Sequence, residues 1–143
     1  MTAQHLRFQK FLDRNKIVYF SAREVLYLGA MNAYLRCNAI PEESLWPNII
    51  PALRAADEIR ARVGVPLKIL SAYRNENYNR AIGGAKGSFH TQFRALDLTA
   101  RIAIPDLHRA AIAVREAKIF DGGVGRYPGF VHIDNVPHRN WNG

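Results

Sequence analysis

Three residues of this sequence have the side-chain types that hold a divalent metal ion in proteins: His90, Asp97 and His132. Asp97 stands between Leu96 and Leu98, and a carboxylate in such surroundings is costly to bury unless it is paired or coordinates a cation. Two imidazole nitrogens and one carboxylate oxygen leave a coordination position open for water, which is typical of a catalytic zinc site. Spacing alone leaves an alternative open, in which these are buried histidines satisfied by hydrogen bonds.

The segment around His132, residues 130–134, alternates in the way that is typical of a strand. Alternation places His132 and Asp134 on one face of that strand, so a second carboxylate accompanies the candidate ligand. Two other histidines fit no site. His108 lies within a predicted helix, where a structural or exposed role fits best, and His5 lies near the chain terminus.

The elements that position these residues follow from hydrophobic periodicity and from helix-boundary signals. Ser21 and Glu24 form a capping box, which predicts a helix from Ser21 through about Tyr34. Other helices are predicted at about residues 1–14, 47–63, 75–82 and 105–117, and strands at about residues 67–73, 94–99, 123–126 and 130–134. This order, with helices first and strands interleaved with helices afterwards, predicts an α+β fold with a small, mostly antiparallel sheet packed with helices.

The chain of 143 residues has the length and composition of one globular domain, with 48% hydrophobic and 22% charged residues. We predict a single domain over residues 1–143, mainly helical over 1–64, with the metal-site residues in 65–141. The one cysteine, Cys37, excludes an intramolecular disulfide and a metal site of the Cys-x-x-Cys type. We interpret Cys37 as a small buried apolar residue.

The balance of charges is strongly basic, with a net charge of +8 and a pI of about 10.1. Such a balance predicts attraction to polyanions, for which nucleic acid and an anionic cell-wall polymer are both candidates. A solvated basic surface without a partner fits as well. Nucleic acid is the weaker interpretation, because the sequence has no run of five basic residues and no known nucleic-acid-binding motif.

The N-terminal residues lead into no apolar run of signal-peptide length. No segment has the roughly 18 to 20 apolar residues that a membrane span needs. We therefore expect a protein without a signal peptide or a membrane span, made in the cytoplasm and working as a monomer.

Several short motifs follow one another along residues 65–141. They are Ser-Ala-Tyr-Arg at 71–74, Tyr-Asn-Arg at 78–80, Gly-Gly-Ala-Lys at 83–86, Ser-Phe-His at 88–90 with Ala95 and Asp97, Gly-Gly-Val-Gly-Arg-Tyr at 122–127, and Phe-Val-His-Ile-Asp at 130–134 followed by Trp141. In this order they resemble the M15 family of D-alanyl-D-alanine peptidases, and within it the compact, phage-type branch of peptidoglycan peptidases. The N-terminal third resembles that branch only loosely.

The resemblance implies the hedgehog/DD-peptidase fold, which agrees with the α+β prediction. It also implies that zinc is bound by His90, Asp97 and His132, and that Arg74 contacts a carboxylate or carbonyl group of the substrate.

Two further residues are predicted to take part in substrate binding, Tyr73 and Ser88. Tyr73 could add a hydrogen bond to the substrate, although an aromatic residue packed in the core fits the same strand. Ser88 could instead hold the loop that precedes His90.

The sequence departs from the family pattern at two positions. Phe93 stands where the pattern Ser-x-His-x-x-Gly-x-Ala-x-Asp has glycine, which predicts a bulky ring next to the site. Gly129 stands three residues before His132, where many family members carry a catalytic carboxylate. The nearest carboxylate along the chain is Asp134, which we predict to be the catalytic base or else a group that orients a metal ligand; a salt bridge to a surface arginine is the alternative.

The function implied by the resemblance is zinc-dependent hydrolysis of amide bonds in the peptide stems or cross-links of peptidoglycan, of the D-Ala-D-Ala carboxypeptidase or endopeptidase kind. Peptidoglycan is then the expected partner, met after release from the cell, as by an endolysin, or as part of a phage-like particle. The main alternative is a non-catalytic module on the same fold that binds zinc or the cell wall.

Overall fold

The computed structural model describes residues 1–29 and 38–143. Cys37 and the far end of the helix predicted at 21–34 lie outside these described residues. The described chain forms the α-helices α1 (Ala3–Arg14), α2 (Ala22–Val25), α3 (Ile50–Val63), α4 (Glu76–Ala81) and α5 (Ile104–Glu116). It also forms two 3₁₀ helices, Glu43–Ile49 and Phe89–Gln92.

The strands of the described chain form one sheet. They are β1 (Leu67–Ser71), β2 (Ala95–Ala100), β3 (Gly123–Arg126), β4 (Val131–Asp134) and β5 (Arg139–Asn142), in the spatial order β1-β2-β4-β3-β5. Neighbouring strands are antiparallel except β3 and β5, which are parallel. The predicted α+β fold with a mostly antiparallel sheet is therefore confirmed.

The two faces of the sheet differ in character because alternate residues of a strand point to opposite sides. On one face, fully buried side chains such as Leu96, Leu98, Val124 and Ile133 join the hydrophobic core, to which α3 and α5 also contribute. The other face carries Asp97, His132 and Asp134 from the same strands. Burial of the apolar face thus fixes the orientation of the polar one.

The helix that begins at the Ser21 capping box is much shorter than predicted. The capping box is present, with the Ser21 hydroxyl accepting from the Glu24 amide, but α2 ends at Val25. Helical periodicity fails there, because Tyr27 and Leu28 are both exposed, and Gly29 then takes a left-handed φ of +79°. The prediction of a helix through Tyr34 was wrong from residue 26 to residue 29.

The other predicted elements are present within a few residues of their expected ends. The strand β5 and both 3₁₀ helices were not predicted. Within the described ranges, no helix is both long and apolar enough to cross a membrane.

Candidate metal centre and active-site cleft

One row of residues runs across all the strands of the sheet and carries the candidate site. Asp97 on β2 lies opposite His132 on β4, and His132 lies opposite Gly125 on β3, which pairs with Trp141 on β5. At the other edge, a register shift between Ile69 and Ser71 places Ser71 of β1 opposite Asp97. The row therefore brings residues distant in sequence to one line on the polar face.

His90 reaches this row from the second 3₁₀ helix. The Ser88 hydroxyl caps that helix by accepting from the His90 amide (3.3 Å), and Phe93 ends it in the left-handed conformation, with φ +56°. The His90 carbonyl accepts from the Arg74 amide (3.1 Å), which ties the turn to the end of β1. The His90 ring is then held from behind, because its Nδ1–H donates to the Ala72 carbonyl (2.7 Å).

The two histidines converge on a single carboxylate oxygen. His90 Nε2 lies 3.1 Å and His132 Nδ1 lies 2.9 Å from Asp97 Oδ1. All three residues are buried, with 2%, 9% and 5% of the surface of His90, His132 and Asp97 exposed. Their candidate ligand atoms all lie within 4.8 Å of one another.

The ring nitrogens of His90 and His132 that point away from Asp97 are also hydrogen-bonded, and these outer hydrogen bonds determine which nitrogens direct a lone pair toward Asp97. His90 Nδ1 faces a carbonyl, and His132 Nε2 faces a carboxylate oxygen of Asp134 at 2.9 Å. Both partners only accept hydrogen bonds, so in the neutral rings these outer nitrogens carry the protons. The inner nitrogens then point lone pairs at Asp97 Oδ1. Three electron-rich atoms in this arrangement require a proton or a cation between them, and the set fits a divalent metal ion held by oriented histidines.

Asp134 holds His132 from behind and takes no part in the inner cluster. Its Oδ2 accepts from His132 Nε2 and from Arg139 (2.7 Å), and its Oδ1 accepts from the amides of Gly123 (2.9 Å) and Val136 (3.2 Å). Burial opposes ionisation of this fully buried carboxyl, but the hydrogen bonds from His132, Arg139 and Gly123 outweigh it and lower the pKa of Asp134 to about 2. Asp134 is thus an anion at neutral pH.

Arg74 supports Asp97 in a comparable way. Its NH2 group donates to Asp97 Oδ2 (3.1 Å), its Nε–H donates to the Ser71 hydroxyl (2.9 Å), and its NH1 group donates to the side-chain oxygen of Asn79 (3.2 Å). Burial raises the pKa of Asp97, but the rings of His132 and His90, when protonated, donate hydrogen bonds and place positive charge beside it, which outweighs burial and lowers the pKa of Asp97 well below its usual range. One oxygen of Asp97 therefore faces the histidines while the other is held by Arg74.

An open cleft of about 540 Å³ lies over the centre. Its floor includes Asp97 and both histidines, and residues 83–87, a loop rich in glycine, form one wall. The other side is aromatic and basic, and its residues are Phe89, Tyr127, Phe130, Arg139 and Trp141. Among the described residues that line the cleft, Asp97 is the only carboxylate. A substrate there would meet a cation site, aromatic rings and basic groups.

A comparison with models of protein families shows to which family the chain belongs. The family model described as peptidase M15 matches residues 28–134. The chain belongs to the peptidase M15 family. Its predicted membership is thereby confirmed.

Two curated relatives of this M15 chain carry the same kind of name. The peptidoglycan L,D-endopeptidase MepK of Escherichia coli is 40% identical over 84 residues, which cover 53% of this chain and 43% of the relative. The probable peptidoglycan L,D-endopeptidase MepK of Haemophilus influenzae is 32% identical over 84 residues, covering 54% of this chain and 43% of the relative. The match spans less than half the length of these relatives.

Two predicted substrate-binding residues of the M15 chain lie in different places. Ser88 lines the cleft and also caps the turn that carries His90. Tyr73 does not line the cleft; it faces a smaller cavity of about 200 Å³ and packs against Phe93, with ring centroids 5.9 Å apart. Burial, and to a smaller extent the charges of Glu42 and Glu76, raises the pKa of Tyr73. A role for either residue in substrate binding stays a prediction.

Phe93 does not sit beside the site, so the expectation of a bulky ring there was wrong. Its side chain is fully buried in the core, between Phe8 (6.1 Å between centroids) and Tyr73. The backbone at this position explains the glycine of the family pattern, because a φ of +56° favours glycine. Here the apolar ring offsets the strain by filling the core.

Three contributors to the site were missed in the sequence: Asn79, Tyr127 and Arg139. Arg139 holds Asp134 and stacks between the rings of Phe89 (5.0 Å) and Trp141 (4.8 Å). The signal that could have found it is the alternation in residues 139–142, where Arg139 and Trp141 share one face of a short strand.

Proposed function

We propose that the chain is a zinc-dependent peptidase that hydrolyses an amide bond in the peptides of peptidoglycan, and that it acts as an endopeptidase of L,D specificity. The observation that carries the proposal is the convergence of His90 Nε2, His132 Nδ1 and Asp97 Oδ1 at the floor of an open cleft. Membership of the M15 family supports peptidase activity, and the names of the MepK relatives support the substrate and the bond.

The residues of the chain divide the work of such a reaction. When bound by His90, Asp97 and His132, zinc would lower the pKa of water and polarise a carbonyl group. Asp97 supplies the negative charge of the ligand set, and Arg74 fixes its second oxygen. Asp134 fixes the ring of His132 through Nε2.

Of the two roles predicted for Asp134, its contacts favour orientation of His132 over proton transfer. The carboxylate is fully buried, both its oxygens accept hydrogen bonds, and it does not line the cleft. A general base has to reach the water whose proton it takes, directly or through one further water. We therefore assign Asp134 the positioning of His132.

Two features favour an endopeptidase over a carboxypeptidase. A carboxypeptidase holds the substrate's terminal carboxylate with a cation, and Arg74, the residue that the family resemblance implies for this contact, already donates to Ser71, Asn79 and Asp97. A second, smaller cavity also adjoins the cleft, since Arg74 and Phe130 line both. A peptide that extends past Arg74 would have this cavity beside it.

The charge of +8 supports attraction to an anionic cell wall, which should weaken as salt is added. The phage-type or endolysin-like character of the chain, its site of action and its monomeric state stay predictions.

Mass analysis of digested peptidoglycan tests the proposed function, because it reports activity and bond choice together. The protein with zinc should release new amines and peptides cut at one L,D bond. His132→Ala should release none, whereas His108→Ala, which changes a histidine on α5 away from the cleft, should behave as the wild type. Release of free D-alanine alone would instead indicate a carboxypeptidase.

A non-catalytic binding module remains the second candidate. Gly129 and the lack of a second carboxylate among the described residues that line the cleft favour it. Zinc binding and wall binding by the wild type without release of amines under any divalent metal would establish this candidate in place of the first.

A further inference from the structure

We propose that the Tyr127 hydroxyl donates a hydrogen bond to the carbonyl oxygen of the amide that is cleaved, as negative charge develops on that oxygen. This inference rests on the proposed function and adds a catalytic residue to it. It begins from a contact on the aromatic side of the cleft, where the Trp141 Nε1–H donates to the Tyr127 hydroxyl oxygen at 2.8 Å.

The direction of that hydrogen bond leaves the hydroxyl proton of Tyr127 for another partner. The indole nitrogen is only a donor, so the tyrosine oxygen must accept and its own proton is not used. Within the part of the chain that the structure describes, the hydrogen bond from Trp141 is the one polar contact of this hydroxyl, and it uses the oxygen and not the proton. Because Tyr127 lines the cleft together with His90 and His132, an acceptor on a bound substrate is the available partner.

The hydroxyl is held in place from two further directions. The Tyr127 ring stacks on Phe130, with centroids 4.4 Å apart and an angle of 8° between the planes. The Tyr127 amide donates to the Phe130 carbonyl (3.0 Å), which closes the turn between β3 and β4. A donor fixed in this way loses little freedom when the reaction occurs, which is the condition for strong transition-state stabilisation.

Trp141 links this donor to the metal centre. Its indole ring packs against the His132 ring, with centroids 5.1 Å apart, and lies over Gly125. A Cβ atom at Gly125 would stand 2.4 Å from the indole, so the glycine makes this position of the ring possible. The same ring thus contacts a candidate ligand and holds the Tyr127 oxygen.

The basic side chains of the cleft are less suited than the Tyr127 hydroxyl to donate to the carbonyl oxygen. Arg74 and Arg139 already donate to Asp97 and Asp134. Lys86 is exposed on a long flexible side chain, whose ordering would cost conformational entropy in each turnover. Tyr127 is therefore a donor of the cleft that is fixed in place and whose proton is free for a substrate.

Tyr127→Phe tests the proposal, because it keeps the stacked ring and removes only the hydroxyl. With a soluble disaccharide-peptide fragment of peptidoglycan as substrate, we expect kcat to fall about 100-fold with KM nearly unchanged, as for loss of one oxyanion donor. Zinc content and the thermal midpoint should stay at wild-type values. The Trp141 Nε1–H signal in a ¹⁵N-resolved NMR spectrum should shift, while that of Trp46, bonded to the Pro41 carbonyl, should not.

Tyr19→Phe is the matched control, since it removes the hydroxyl of an exposed tyrosine that contacts Arg60 outside the cleft. An active wild type with an equally active Tyr127→Phe variant would overturn this proposal and leave the proposed function standing. A rise in KM with unchanged kcat would also overturn it, because the hydroxyl would then only bind substrate. A wild type that releases no amines would remove both.

Discussion

His90 presents Nε2 and His132 presents Nδ1 to the same oxygen of Asp97, and their outer nitrogens are held by different kinds of group. The backbone carbonyl of Ala72 holds His90, whereas the buried carboxylate of Asp134, held in turn by Arg139, holds His132. One half of the centre therefore depends on the path of the backbone and the other on a pair of charges. Substitutions should separate the two halves.

The largest effect is expected where the two halves meet. Asp97→Asn keeps the size of the side chain but removes the charge that both histidines and Arg74 face. We expect zinc in the dialysed protein, measured by elemental mass spectrometry, to fall below detection, and amine release to be lost with it. The exposed Asp106→Asn on α5 is the matched control. A full complement of zinc in Asp97→Asn would contradict a shared ligand oxygen.

The backbone half can be changed through Phe93, which ends the turn that carries His90. Phe93→Ala should destabilise the fold by about 3–5 kcal/mol, because it removes a fully buried ring. Phe93→Gly should be about 1 kcal/mol more stable than Phe93→Ala, since glycine takes a φ of +56° without strain. Urea unfolding measures both free energies.

The control for that comparison is Ala55→Gly inside α3, where glycine should instead cost about 1 kcal/mol. The order of glycine and alanine is thus expected to reverse between the two positions. If Phe93→Ala proved the more stable of the two variants at position 93, the left-handed end of the His90 turn would be contradicted.

The apolar face of the sheet was predictable because it is local in sequence. Alternation in residues 130–134 assigned His132 and Asp134 to one side of their strand, and burial of Val131 and Ile133 on the other side confirms it. The helix after Ser21 was overextended because a capping box marks only where a helix begins. Neither the residue types nor the hydrophobic periodicity after Ser21 marks the end of this helix at Val25.

The supports of the site could not be predicted for a different reason. Arg139 contacts Asp134 where β5 pairs in parallel with β3, and Ala72 contacts His90 just after a register shift within β1. Such pairings depend on strand order and register, which single-sequence periodicity does not contain. The sequence therefore indicated the inner cluster better than the groups that orient it.

The charged half is tested by Asp134→Asn, which can still accept from His132 but loses its charge. We expect zinc affinity to fall about 10- to 100-fold, less than for Asp97→Asn, because an orienting partner is changed and not a ligand. With saturating zinc, kcat for peptide cleavage should return to within about tenfold of the wild type. A kcat still about 10²- to 10⁴-fold low at saturating zinc would assign the general base to Asp134.

The smallest effect concerns pH and the metal-free protein. Burial opposes the charged form of His132, but its hydrogen bonds to Asp134 and Asp97 outweigh burial and raise its pKa. The folded state therefore binds this proton more tightly than the unfolded chain, where the pKa of histidine is about 6.5. The stabilisation is fully present below about pH 6.5 and is lost as the pH rises through the raised value.

In the proposed function, zinc held by His90, Asp97 and His132 would replace that proton, so the metal-free and zinc-loaded forms of the protein should respond differently to alkaline pH. The thermal midpoint of the protein in EDTA, followed by circular dichroism, should fall as the pH rises above about 6.5, whereas the zinc-loaded protein should keep its midpoint. His132→Asn should remove the fall in EDTA. An unchanged midpoint of the metal-free wild type would show that Asp134, paired with Arg139, does not favour the protonated ring of His132. His90 and His132 would then differ only in the geometry of their outer hydrogen bonds.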